Sequence, residues 1–276
     1  MPENEIVYQI YPLGLCEAPY ENDGLLVHRI RRIQQWIMHL KKLHITTVLF
    51  NPLMQSMTHG YDTIDFETVD VRLGDQQDLQ QLCNALHEAN IRVWFDGVFN
   101  HVGRAFKPFQ DVLANRKESI FRDWFYIDFQ AKDAADGFSY ADWEGHHELV
   151  RLNLQNPAVR SYLFSVVDHW LKTYSIDGLR LDVAYCLDTH FLCDLQHHIK
   201  AIRPDFMLVG ECIHGDYNRL LSVMDAVTNY ECFKGLWSSF NTHNLFEIGY
   251  SLHRQFGNEP WCLYTNVCFL LRIIMT

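Results

Sequence analysis

The sequence lacks a basic block, a C-x-x-C pair, a bilayer-length apolar run, and a basic-then-apolar leader at Met1-Pro2-Glu3-Asn4-Glu5. Each absence excludes something. With 23 basic against 34 acidic residues and a formal charge of -11, neither a nucleic acid nor a membrane surface is expected as partner. The eight cysteines, Cys16, Cys83, Cys186, Cys193, Cys212, Cys232, Cys262 and Cys268, are scattered rather than paired, which points to a reducing, cytoplasmic setting. No segment is long and apolar enough to read as a transmembrane helix. What is present is apolar bulk: 276 residues at 48% hydrophobic bury a large core, and one domain with an insertion suits that length.

The chain is organised around Gly178-Leu179-Arg180-Leu181-Asp182, a short apolar strand carrying an arginine and a carboxylate two residues apart. On a strand, residues two apart share a face. The Arg180 guanidinium is expected to keep Asp182 ionised. A second apolar run, Phe206-Met207-Leu208-Val209-Gly210-Glu211, ends in a carboxylate with no basic residue expected beside it to hold its pKa down. Two carboxylates in unlike environments suggest an acid and a nucleophile.

Strands and helices alternate along the chain. Ile6 to Tyr11, Ile45 to Phe50 and Ile91 to Asp96 read as strands. Between them, Leu26, Ile30, Ile33, Ile37 and Leu40, then Leu79, Leu82, Leu86 and Ala89, each mark one face of a helix. From Gly103 to Val150 the period breaks down among Phe106, Phe109, Trp124, Tyr126, Phe138, Tyr140 and Trp143. Asn156-Pro157 then starts a helix, Asn as cap and Pro in the first turn, with Val159, Leu163, Val166 and Trp170 on its apolar face. The Asp182 strand follows, then a helix with Leu192, Leu195, Ile199 and Ile202, the Glu211 strand, a strand from Ala226 to Tyr230, and one long helix from Phe233 to Arg254. Six or more such units predict an α/β fold, a (β/α)8 TIM-type barrel. Its barrel domain comprises residues 1–102 and 151–276, with residues 103–150 as a subdomain inserted after the third strand. Catalytic groups of barrels sit at the C-terminal strand ends, where Asp96, Asp182 and Glu211 fall.

Parallel strands lie about 4.8 Å apart. Acids at matching ends of neighbouring strands therefore suit a retaining glycosidase, whose carboxyl groups are about 5 to 5.5 Å apart, better than an inverting one. Either acid alone reads equally well as a solvent-facing strand-end acid. Their joint occurrence after two apolar strands favours chemistry. His146-His147 and His197-His198 lack partners at zinc-ligand spacing and read as surface residues.

Asp96-Gly97-Val98-Phe99-Asn100-His101, Gly178-Leu179-Arg180-Leu181-Asp182-Val183-Ala184 and Val209-Gly210-Glu211 closely resemble, in order and spacing, three signature segments of the α-amylase family of glycoside hydrolases. Gly60-Tyr61-Asp62 and Leu152-Asn153-Leu154 before Asn156-Pro157 support the likeness, which runs from Tyr8 to about Thr265. The resemblance implies Asp182 as nucleophile, Glu211 as acid and base, and Arg180 as the partner orienting Asp182. It also implies His101 and Tyr61 against the sugar at the cleaved bond, Asp62 and Asp96 supporting Arg180 and the site, and an α-glucan or maltooligosaccharide as substrate. Taken without its motif, Tyr61 would read as an aromatic packed on the barrel rim.

The sequence also departs from the family. Where many members carry Lys-His after the nucleophile strand, this chain has Val183-Ala184-Tyr185-Cys186. Asn100 matches a family calcium-ligand position, but one oxygen falls far short of the 6 to 8 that calcium takes. No metal and no cofactor is expected. After Glu211 the family's Asn-His-Asp triplet is missing. Cys262-Leu263-Tyr264-Thr265 reads as the start of a seventh strand that does not continue. Codons for Arg272 to Thr276 can be CGG ATA ATC ATG ACG, which read from the third base give Asp-Asn-His-Asp. This predicts a frameshift near Thr265 and a barrel truncated before its last two strands, weakly active or inactive. The alternative is a non-catalytic glucan-binding or partner-binding remnant. An unrelated metal-dependent or Schiff-base barrel enzyme lacks both a metal cluster and a strand-end lysine.

Overall fold

Apolar runs of two to six residues become the parallel strands of one sheet. In the computed structural model, which describes residues 5–131, 134–213, 217–256 and 267–268, these are β1 (Val7–Ile10), β2 (Thr47–Phe50), β3 (Arg92–Gly97), β4 (Gly178–Leu181), β5 (Met207–Gly210), β6 (Ala226–Thr228) and β7 (Val267–Cys268). They lie side by side in sequence order, every neighbouring pair parallel. The principal helices are α1 (Gln76–Glu88), α2 (Pro157–Tyr174), α3 (Thr189–Ile202), α4 (Tyr230–Thr242) and α5 (Phe246–Phe256). This is a (β/α) barrel, incomplete in that β1 and β7 are unpaired edges among the described residues.

Alternation along the strands separates two apolar layers. Val48, Phe50, Val93, Phe95, Leu179, Leu181 and Leu208 join the large core that the helices cover. Leu49, Trp94, Met207, Val209 and Ala226 form a second cluster on the opposite face. Trp94 is the largest member. Gly178 makes room for it, because a Cβ there would sit 2.6 Å from Trp94 Cδ1 and 2.7 Å from the Met207 carbonyl oxygen.

Caps fix where helices begin. Asp75 and Asp78 form a capping box on α1. Asn156 caps α2 by accepting from the Ala158 N–H, with Pro157 in the first turn as expected. Asp188 and Asn229 do the same for α3 and α4.

Three expectations are corrected. The stretch from Leu26 to Leu40 is not one helix: Arg29–Trp36 is a 3-10 helix that passes into an α-helix at Ile37–Lys42. Ile30 and Ile33, three apart, eclipse each other in the tighter helix and are fully buried, whereas Leu26 lies before it and is exposed. The span from Phe233 to Arg254 is two helices, because His243 turns left-handed at φ 59° and ends α4. Gly235 lets α5 close on α4, since a Cβ there would lie 2.5 Å from Ser251 Oγ. The strand drawn to Tyr230 stops at Thr228, where Asn229 is committed to capping. The seventh strand placed at Cys262 to Thr265 lies outside the described residues; Val267–Cys268 pairs with β6.

Between β3 and α2, a three-stranded antiparallel sheet joins His101–Gly103, His146–Arg151 and Asp142–Trp143. Phe109 packs edge-on against Phe125 and Tyr140, giving this segment apolar contacts of its own. No helix of the described residues is long and apolar enough to cross a membrane.

Gly178→Ala is expected to lower stability by about 1–3 kcal/mol, because the added methyl overpacks Trp94 and the β5 backbone. Urea unfolding checks this. An unchanged midpoint would show that Trp94 yields without strain.

Candidate active site

Register brings the charged groups together. Arg180 on β4 lies directly beside Asp96 on β3, and Leu181 pairs with Gly210, so Glu211 leaves β5 next to Asp182. Arg180 Nη1 donates to both Asp96 oxygens at 2.7 and 2.8 Å and to Asp182 Oδ1 at 2.9 Å. Its Nη2 pairs with Glu211 Oε1. All four side chains are buried. One guanidinium therefore serves three carboxyl groups.

That arrangement corrects two expectations. Glu211 does have a basic neighbour, Arg180, supplied by the adjacent strand rather than by sequence. Asp182 is not simply held ionised: burial pushes its carboxyl well above the usual range, and Asp96 and Glu211 add to this against the pull of Arg180. Burial likewise raises Asp96, to about 6. With one cation among three acids, full ionisation would leave two uncompensated charges in a buried site, so the cluster favours retaining protons.

Further polar side chains surround this cluster. Tyr61 Oη donates to Asp96 Oδ2 at 3.3 Å. Asn51 Nδ2 bonds Tyr61 Oη and lies 3.4 Å from Asp96 Oδ2, while Gln9 Nε2 donates to Asn51 Oδ1 at 2.9 Å. Glu211 Oε2 accepts from the Val183 N–H at 3.0 Å, and Oε1 accepts from Tyr230 Oη at 2.9 Å. Val183 adopts φ 40°, ψ 46°, an outlier for a β-branched residue.

Asp62 does not reach Arg180. Its Oδ2 accepts from Thr58 Oγ1 at 2.7 Å. Asn100 is buried and faces His101, with Nδ2 3.2 Å from His101 Nδ1. Burial, with His59 nearby, lowers the His101 ring to about 4. His101 also packs against Trp143, at 5.9 Å between ring centroids. Asp62, His101 and Trp143 line a cavity of about 890 Å³ with Tyr61, Arg180, Asp182 and Glu211. Asp62 Oδ1, His101 Nε2 and Trp143 Nε1 are buried without a hydrogen-bond partner among the described residues. Buried polar groups left open in a cavity mark where a ligand's hydroxyls would be welcome.

Among the described residues no set of three His, Cys, Asp or Glu ligand atoms gathers at Asn100. The one set at metal-ligand spacing, His28, Asp75 and Asp78, already uses its oxygens for Arg31 and for the cap of α1. His146 stacks on Trp143, and His198 bonds Asp168 at 2.8 Å.

Sequence reasoning missed Gln9, Asn51, Val183 and Tyr230. Asn51 follows the apolar run of β2 as Asp96 ends that of β3, a usable signal. Tyr230 falls just past β6. The Val183 contact depends on a backbone conformation with no sequence mark.

A model of the alpha-amylase catalytic domain matches residues 9–250. The chain belongs to the α-amylase family. It is 38% identical to a cyclomaltodextrinase from a Bacillus species over 94% of this chain and 50% of that protein. A solved cyclomaltodextrinase structure superposes with TM-score 0.79 at 30% identity, covering 93% of this chain and 47% of the other. A cyclic alpha-maltosyl-(1→6)-maltose hydrolase from Arthrobacter globiformis, in complex with maltose, superposes with TM-score 0.83 at 23% identity, covering 97% and 65%, a likeness of fold. The chain spans half or less of the length of the curated relatives it matches.

Asp182→Asn removes one of three crowded acids while leaving an acceptor for Arg180. A carboxyl raised in the folded state contributes stability below its ordinary value of about 4 and loses it as pH rises. Melting curves should therefore show Asp182→Asn more stable than the parent at pH 7 by about 1–2 kcal/mol. The gain should vanish towards pH 4. A destabilised variant at pH 7 would contradict the crowding argument.

Proposed function

We propose that the protein is a retaining glycoside hydrolase of α-glucans or maltooligosaccharides. The observation that carries this is one guanidinium joining Asp182 and Glu211 on the floor of a cavity that also presents three polar atoms without a partner among the described residues. Asp182 attacks the anomeric carbon while the bond to the leaving oxygen breaks and Glu211 gives that oxygen its proton. Glu211, now a carboxylate, then takes a proton from water. The water oxygen attacks the same carbon, breaks the glycosyl ester and restores Asp182. Arg180 orients Asp182 and offsets its charge, and Asp96 with Tyr61 holds Arg180. Tyr61, His101 and Asp62 form the sugar-binding wall, Asn100 supports it through His101, and residues 103–150 act as an inserted subdomain that closes the cavity. The scattered cysteines, with no C-x-x-C pair, support a cytoplasmic setting.

A second reading is glucan binding without turnover, which the same buried polar atoms around the cavity would support.

Incubation with maltotriose, followed by proton NMR, separates the readings. The first requires α-anomeric product to appear before mutarotation, and Asp182→Asn to reduce turnover by about a thousandfold or more while maltotriose still binds. Glu211→Gln should slow maltotriose far more than an activated aryl glycoside, whose leaving group needs no proton. Saturable binding without product would favour the second reading, and β-anomeric product would overturn the assignment of Asp182.

A further inference from the structure

Two hydrogen bonds and one ion pair reach the Glu211 carboxyl group among the described residues, and they are not equivalent. The Val183 N–H on Oε2 and the Arg180 guanidinium on Oε1 can only donate. The Tyr230 hydroxyl on Oε1, at 2.9 Å, can donate to a carboxylate and, by rotating, accept from a carboxylic acid. It alone of the three can change from donor to acceptor when Oε1 carries the proton, and its charge-assisted bond to the ionised form is the stronger of the two.

The fold fixes this hydroxyl independently of the cavity. Tyr230 is the first residue of α4, whose start is set by the Asn229 side chain accepting from the Cys232 N–H. The Cys212 N–H donates to Thr228 Oγ1 at 2.9 Å, tying the residue after Glu211 to the end of β6. Tyr230 and Glu211 are thus held in register by two links that involve neither side chain.

We propose that Tyr230 is a positioning residue for Glu211, its hydroxyl following the carboxyl group through both protonation states and keeping it aimed at the leaving oxygen. The proposal rests on the reading of Glu211 as acid and base. Among the described residues, Arg180, Asp182, Asp96, Tyr61 and Tyr185 are the other charged or titratable groups that act on Glu211 or are acted on by it. All five remain in Tyr230→Phe, so this variant isolates one hydroxyl while keeping the ring.

The test uses protein labelled with 13C at glutamate carboxyl groups, the Glu211 resonance being assigned by its loss in Glu211→Gln. Loss of a donor favours the protonated form, so the Glu211 titration midpoint in Tyr230→Phe should move up by about one pH unit. In turnover, Tyr230→Phe should lower kcat on maltotriose about tenfold and on an activated aryl glycoside much less, with KM little changed. An unmoved midpoint overturns the proposal, as does equal slowing of both substrates with a lowered melting temperature, the mark of a merely structural role. If Glu211→Gln slows neither substrate, the acid–base reading itself fails, while the midpoint still decides whether the hydroxyl governs Glu211.

Discussion

The pairing of Arg180 with Asp96, Asp182 and Glu211 is the interaction on which the rest of the site depends. A charge taken out of water is costly unless it is paired and hydrogen-bonded, and here one cation has to do that for three acids. Adjacent register on β3, β4 and β5 makes the convergence possible without distorting the sheet. The imbalance has a chemical use. A buried cluster with more acids than cations favours holding protons at a pH where free carboxyl groups have lost them, and a glycosidase needs one acid protonated and its neighbour ionised.

Strain and unmet hydrogen bonds concentrate around the same atoms. Val183 holds a left-handed conformation and points its N–H at Glu211. Asp62 Oδ1, His101 Nε2 and Trp143 Nε1, whose residues line the same cavity, have no partner among the described residues. Each costs stability in the free protein. The apolar clusters beneath, with Trp94 locked over Gly178 and the helix-covered layer on the other side, are what hold these groups in place. A ligand rich in hydroxyl groups would offer these atoms partners, which links the energetics of the cavity to the proposed substrate.

Much of this was legible from sequence because strands and their ends follow simple rules. Apolar runs closing on Asp96, Asp182 and Glu211 gave both the parallel sheet and the place of the acids, and Asn156-Pro157 marked a helix start. Contacts between strands were less legible. Nothing near Glu211 in sequence announces Arg180, which reaches it across the β4–β5 pair. Asp62, expected to support Arg180, turns instead to Thr58. The i, i+3 spacing of Ile30 and Ile33 suits a 3-10 helix as well as an α-helix, and only packing chooses between them. His243 carries no obvious stop signal, yet a single left-handed residue ends α4.

The most direct test of Arg180 as the neutralising centre is the stability of Arg180→Met measured by urea unfolding from pH 4 to pH 8. At neutral pH the variant leaves three buried acids without a cation and should lose about 3–5 kcal/mol. As pH falls towards 4 the carboxyl groups take up protons, and the loss should shrink to a small remainder. A loss of the same size at every pH would mean that Arg180 acts by packing alone, and would contradict the account.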